Sequence, residues 1–125
     1  MNVILWIVAG LLAVAFLAAG GMKLSKSRQE LSEMDMKWVD SATDGQVKAV
    51  GAVEVAGAIG VVLPAIVDVA PILVPIAATG LAIAMVIAAG VHVRDGDGPK
   101  EMAPALVLGA LAAFLAVGRF FIETF

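Results

Sequence analysis

The chain has 125 residues, 62% of them hydrophobic and 15% charged, with a mean hydropathy of +1.03 and a formal net charge of −3. A soluble domain is about 45–50% apolar and about 25% charged, so the composition excludes an ordinary globular interior and points to a bilayer. With no cysteine, one histidine and no basic surplus, the chain by itself excludes thiol–disulfide chemistry, iron–sulfur clusters, Cys-based zinc and bis-histidine haem, and it argues against nucleic acid.

The first apolar run covers residues 2–22 and carries no charge before Lys23. Ala13-Val14-Ala15 resembles a signal-peptidase site, but no Lys or Arg precedes the run and its length exceeds that of a signal-peptide core. It reads as a transmembrane helix. A polar stretch follows, and Ser27-Arg28-Gln29-Glu30 has the form of a capping box. Leu31, Met34 and Trp38 then recur at helical spacing among charges, which predicts a short amphipathic helix over about 28–38 on the membrane surface, with Trp38 at headgroup level. Asp40-Ser-Ala-Thr-Asp44-Gly45 is turn and cap material for the next helix.

The second span is expected over about 46–63, the third over about 72–91 and the fourth over about 102–118. Pro64 and Pro71 bracket a short connection that makes spans two and three antiparallel, and His92 to Glu101 forms a polar turn. The expectation is an all-α membrane protein: one domain over residues 1–125, a four-helix bundle with one interfacial helix between spans one and two. Small residues at four-residue spacing, namely Ala52/Ala56/Gly60, Gly80/Ala84/Ala88 and Ala105/Gly109/Ala113, are read as packing stripes. Seven Lys and Arg residues fall on the side holding the first and third loops, and only Arg119 on the other. The positive-inside rule then puts those loops in the cytoplasm of a bacterial plasma membrane and both termini outside. Lys23 and Lys48 are also candidates to serve a buried carboxylate rather than topology.

That carboxylate is Glu54, within Gly51-Ala-Val-Glu54-Val-Ala-Gly57-Ala-Ile-Gly60-Val-Val-Leu-Pro64. A charge at mid-membrane costs about 2.5–3.5 kcal/mol on insertion scales, so something must compensate it. Four-span topology gathers Lys23, Lys48, Glu54 and His92 in one leaflet. Lys48 is six positions from Glu54, on another helix face, and is shallow enough to reach the headgroups alone. Lys23 and His92 remain as partners. The group is either a polar pocket in which Glu54 accepts and Lys23 or His92 donates, or a buried pair or protonated carboxyl that only fixes helix register. Arg119, at the opposite end, is expected to contact lipid headgroups.

Ala19-Gly20-Gly21-Met22-Lys23-Leu24, Trp38, the stretch around Glu54, Ala88-Ala-Gly-Val-His92 and Gly118-Arg119-Phe120 together resemble the DoxX-like membrane protein family. The resemblance implies a four-helix bundle with Lys23, Glu54, His92 and Arg119 at polar positions of the family. Members are described as small subunits of thiosulfate:quinone oxidoreductases, as parts of membrane oxidoreductase complexes and, in animals, as assembly chaperones for receptor channels. No catalytic residue carries over. The leading expectation is an accessory or assembly protein without catalysis of its own and without a metal, binding a partner membrane protein, another copy of itself, or a lipid or quinone through Glu54. A quinone-linked oxidoreductase subunit and a small proton-coupled transporter follow in that order.

Overall fold

The computed structural model describes residues 1–33, 42–96 and 98–124. Among them are α1 (Asn2–Ser25), α2 (Arg28–Glu33), α3 (Asp44–Gly60), α4 (Leu63–Ile66), α5 (Leu73–Arg94) and α6 (Pro99–Val117), the last continued by a π-helical turn over Gly118–Ile122. Trp38 and the second half of the expected surface helix lie outside the described residues. Four stretches are long and apolar enough to cross a bilayer: Asn2–Ser25, Asp44–Ile66, Leu73–Arg94 and Met102–Ile122. The protein is an all-α, four-span integral membrane protein.

Local chemistry sets the helix limits. Ser27 and Glu30 exchange the bonds of a capping box, Glu30 N–H to Ser27 Oγ at 3.1 Å and Ser27 N–H to Glu30 Oε1 at 3.2 Å. Thr43 and Gln46 do the same at the start of α3. α3 stops at Gly60 because Pro64, four residues on, has no N–H for the Gly60 carbonyl and its ring would clash there. One further turn, α4, completes the span. The connection to α5 then turns through Asp68 and Ala70 at φ of 54° and 46°, a left-handed conformation that costs an alanine about 1–2 kcal/mol.

The bundle is a ring. α1 packs chiefly on α3 and α5 on α6, while α3–α5 and α1–α6 contacts close it. Its core is built from Leu5, Leu12 and Phe16 of α1, Ala58 of α3, Ala78 and Leu81 of α5, and Ala112 and Leu115 of α6. Large side chains from one helix meet alanines from the next, which keeps the axes close without voids. Outward faces are apolar instead of polar, as at Val14, Ile83, Val86 and Ile87, the arrangement that lipid as solvent requires.

The expected stripes are met in part: Gly60, Gly109 and Ala105 make close contacts or are buried, and Ala84 and Ala88 pack against the core, but other members do not. Ala52, Ala56 and Ala113 are exposed, and a methyl group on Gly80 would meet nothing within 4 Å. Contact is made by Gly20 against Gly51, where an added Cβ would lie 2.7 Å from the Gly51 carbonyl oxygen, and by Gly57 against Leu81, Gly60 against Ala77 and Gly109 against Met85. Spacing alone does not say which face of a helix turns inward when both faces are apolar.

Candidate functional site

Gly20 and Gly51 create the site. With no side chain on either, α1 and α3 approach until Gly51 lies against the Cβ of Lys23. Lys23 and Glu54, from different helices, then meet. Lys23 Nζ sits 2.6 Å from Glu54 Oε1, with the side chains 9% and 3% exposed. The contact is an ion pair by distance, yet Oε1 receives no donor at a hydrogen-bonding angle. Its strength is therefore Coulombic, in surroundings where such attraction is screened little. Glu54 is close to the middle of the Asp44–Ile66 span, so the pair removes a lone charge from where it would cost most.

Lys48 has a different task. Its ammonium donates to three carbonyls, those of Lys23, Leu24 and Lys26, each at 2.9 Å. These belong to the last turn of α1 and the residue that follows it, where carbonyls have no helical partner and the helix dipole is negative. Lys48 does not leave the protein for the headgroups as expected; it caps the neighbouring helix. A lysine on α3 level with the end of an antiparallel α1 is the signal that pointed to this role. Over the same end, Leu31 of α2 is fully buried with Val47 against Met22 and Ala42.

His92 is not brought to this pair. Gly57 lies against Leu81 and Gly60 against Ala77, so antiparallel register sets Glu54 level with about residue 84 of α5. His92 is about eight residues further along, about 12 Å at 1.5 Å per residue. It is half-buried in the last turn of α5. Of the two expected donors, Lys23 meets Glu54 and His92 lies nearer the membrane surface.

A second polar group occupies the other end. Arg119 is only 3% exposed, so it does not reach out into the headgroups as a freely extended side chain. Its Nη1 donates to Asn2 Oδ1 at 2.8 Å and to the Glu123 carbonyl at 3.0 Å, and its guanidinium stands 5.8 Å from the Trp6 ring centroid. The bond to Asn2 ties the start of α1 to the end of α6, which puts the first and last spans' termini on one face of the bundle. Asn2 and Trp6 were not singled out in the sequence; a polar residue at position 2 of an up-down bundle is level with position 119, and that register was the available signal. Among the described residues no group of three or more His, Cys, Asp or Glu side chains gathers into a metal site.

The sequence model of the DoxX-like family matches residues 7–115. That span includes Lys23, Glu54 and His92 and ends before Arg119. No curated protein and no solved structure shows significant similarity to the chain. The match covers most of the sequence, and the chain belongs to the DoxX-like family.

Proposed function

We propose, from this family membership and the geometry of the bundle, that the protein is an accessory or assembly-type integral membrane protein without catalysis of its own. It binds a partner membrane protein, or a lipophilic ligand such as a lipid or quinone, at the α1–α3 face organised by Lys23 and Glu54. The observation that carries this reading is the 2.6 Å buried ion pair joining two helices that touch through glycine. A pair of that kind holds one hairpin in a single register and presents one fixed apolar face to the bilayer, including Val50, Val53 and Ile59. Buried polar groups that specify register are a known use of such pairs. By the lysine and arginine distribution, the end carrying α2 and the α5–α6 turn faces the cytoplasm of a bacterial plasma membrane.

A quinone-linked oxidoreductase subunit would need Glu54 to pass protons outward through His92. The step of about 12 Å between their levels favours the accessory role over that relay.

The test is retrieval of the tagged protein from its own membranes in lipid nanodiscs, with mass spectrometry of what accompanies it. A protein or lipophilic molecule present in fixed ratio to the wild type, and at least about tenfold depleted with Glu54→Gln, is the expected result. Wild-type protein recovered alone and ligand-free ends the proposal.

A further inference from the structure

The end of the bundle opposite Lys23 and Glu54 contains an open pocket of about 270 Å³, lined by Pro71, Ile72, Pro75, Arg119, Phe120 and Thr124. Three separate features converge on it. Arg119 is a nearly buried guanidinium whose plane is fixed by Asn2 and the Glu123 carbonyl. The π-helical turn Gly118–Ile122, closed by Glu123 N–H to the Gly118 carbonyl at 2.7 Å, widens the end of α6 and sets where Arg119 and Phe120 point; such turns recur at functional sites. On the facing wall, Ala70 holds a left-handed backbone immediately before Pro71, and strain of this kind is also concentrated at binding sites.

The chemistry of the walls names the occupant. A guanidinium and a hydroxyl, Thr124, accompany proline, isoleucine and phenylalanine. Lining residue Ile72, with Val69, Phe121 and Ile122 close in the chain to other lining residues, are large exposed apolar side chains, 55%, 64%, 81% and 57% exposed, alongside the exposed carboxylates Asp68 and Glu123. An occupant crossing those apolar side chains would come from lipid. Ligand pockets for whole drug-sized molecules begin at about 300 Å³, so this one suits a headgroup and the first carbons of its chains rather than an entire lipid. A planar fork of N–H donors matches phosphate oxygens.

We propose that this pocket binds the phosphodiester headgroup of an anionic membrane phospholipid, with Arg119 and Thr124 on the phosphate and Ile72, Pro75 and Phe120 on the roots of the chains. The site is distinct from the Lys23–Glu54 face and stands or falls separately from the function proposed for that face. Lipid held here would rest against α5, α6 and, through Arg119, the start of α1.

The experiment is native mass spectrometry of the full chain in maltoside micelles titrated with phosphatidylglycerol, with phosphatidylcholine and inorganic phosphate as separate arms. One phosphatidylglycerol per chain is expected, bound at least about tenfold more tightly than phosphatidylcholine. Arg119→Gln should reduce that binding by about tenfold or more. Because Arg119 also ties two helices together, Ile72→Trp serves as the second variant: it fills the pocket from an exposed position, leaves Arg119 in place, and should produce the same loss. Equal binding of both lipids, or phosphatidylglycerol binding untouched by Ile72→Trp, overturns the proposal. Inorganic phosphate retained by the wild type and lost with Ile72→Trp, while the lipid is not bound, makes this a free-phosphate site and overturns the lipid assignment.

Discussion

In the half of the bundle that holds the end of α1, a lysine of α1 and a mid-span glutamate of α3 meet at 2.6 Å and shield each other from the bilayer. At the opposite end, Arg119 is held by an amide oxygen, a main-chain carbonyl and an indole face, and it forms part of the wall of an open pocket. Both ends bury charge, but with opposite results. Mutual neutralisation by two groups on touching helices gives a closed, rigid contact. A guanidinium oriented by an amide oxygen and a main-chain carbonyl, with the Glu123 carboxylate also acting on it, instead forms part of the wall of an opening. Whether buried charge closes a site or creates one depends on what faces it.

The comparison breaks most visibly at the closed end. Glu54→Ala or Lys23→Met alone leaves one charge buried, and each should destabilise the bundle by about 3–5 kcal/mol in reversible unfolding within mixed micelles. The double variant Lys23→Met/Glu54→Met should recover most of that loss, since an apolar pair has no desolvation penalty. A double variant as unstable as the sum of the two singles would mean that the groups act separately.

The glycine contact beneath the pair gives the next effect. Gly20→Ala places a methyl group 2.7 Å from the Gly51 carbonyl oxygen, and should cost about 1–3 kcal/mol by the same measurement. Gly80→Ala, with nothing within 4 Å of the new methyl, should be neutral or stabilising by up to about 1 kcal/mol through helix propensity. Equal effects would show that α1 and α3 do not rely on close approach.

Lys48→Met removes the donor to three carbonyls at the end of α1 and should cost about 1–3 kcal/mol, as for other hydrogen bonds from a charged group. Faster hydrogen exchange at the α1 C-terminus, with the core of α1 unchanged, would confirm capping as the cause.

The smallest effect concerns pH. The Ser27 backbone N–H, followed by its hydroxyl, holds the Glu30 carboxyl below its ordinary value of 4.5. A depressed value in the folded state means that this capping contribution is present above the ordinary value and is lost as pH falls through the lower, folded one. Exchange at the α2 amides should therefore rise below about pH 4.5, while the Arg119 end keeps its protection. Exchange at α2 that is indifferent to acid would remove Glu30 from the cap.

Much of the architecture was legible in order of residue number. Hydropathy over about 20 residues must reflect a span because unpaired backbone groups cannot sit in hydrocarbon, so the four helices were readable with ends within a few residues. The Ser27–Glu30 box was readable because capping is local, involving only three residues of separation. Glu54 stood out because one charge in an apolar run is costly wherever it sits. The packing stripes were not readable in the same way. In lipid the inward and outward faces are equally apolar, so the periodicity that marks a buried face in water is missing, and Ala52 and Gly51 look alike until a neighbour is placed.

The sequence by itself determined class, the succession of four spans and the need to answer Glu54, because each follows from one-dimensional hydropathy and charge. Tertiary structure alone decided who answers. It chose Lys23 over His92 through the register of α1 and α5 against α3, gave Lys48 to the carbonyls of α1, and buried Arg119 against Asn2 and Trp6 beside a pocket. Each choice depends on the rotation and register of one helix against another. Those are fixed by shape at the interface, and no single helix carries that information.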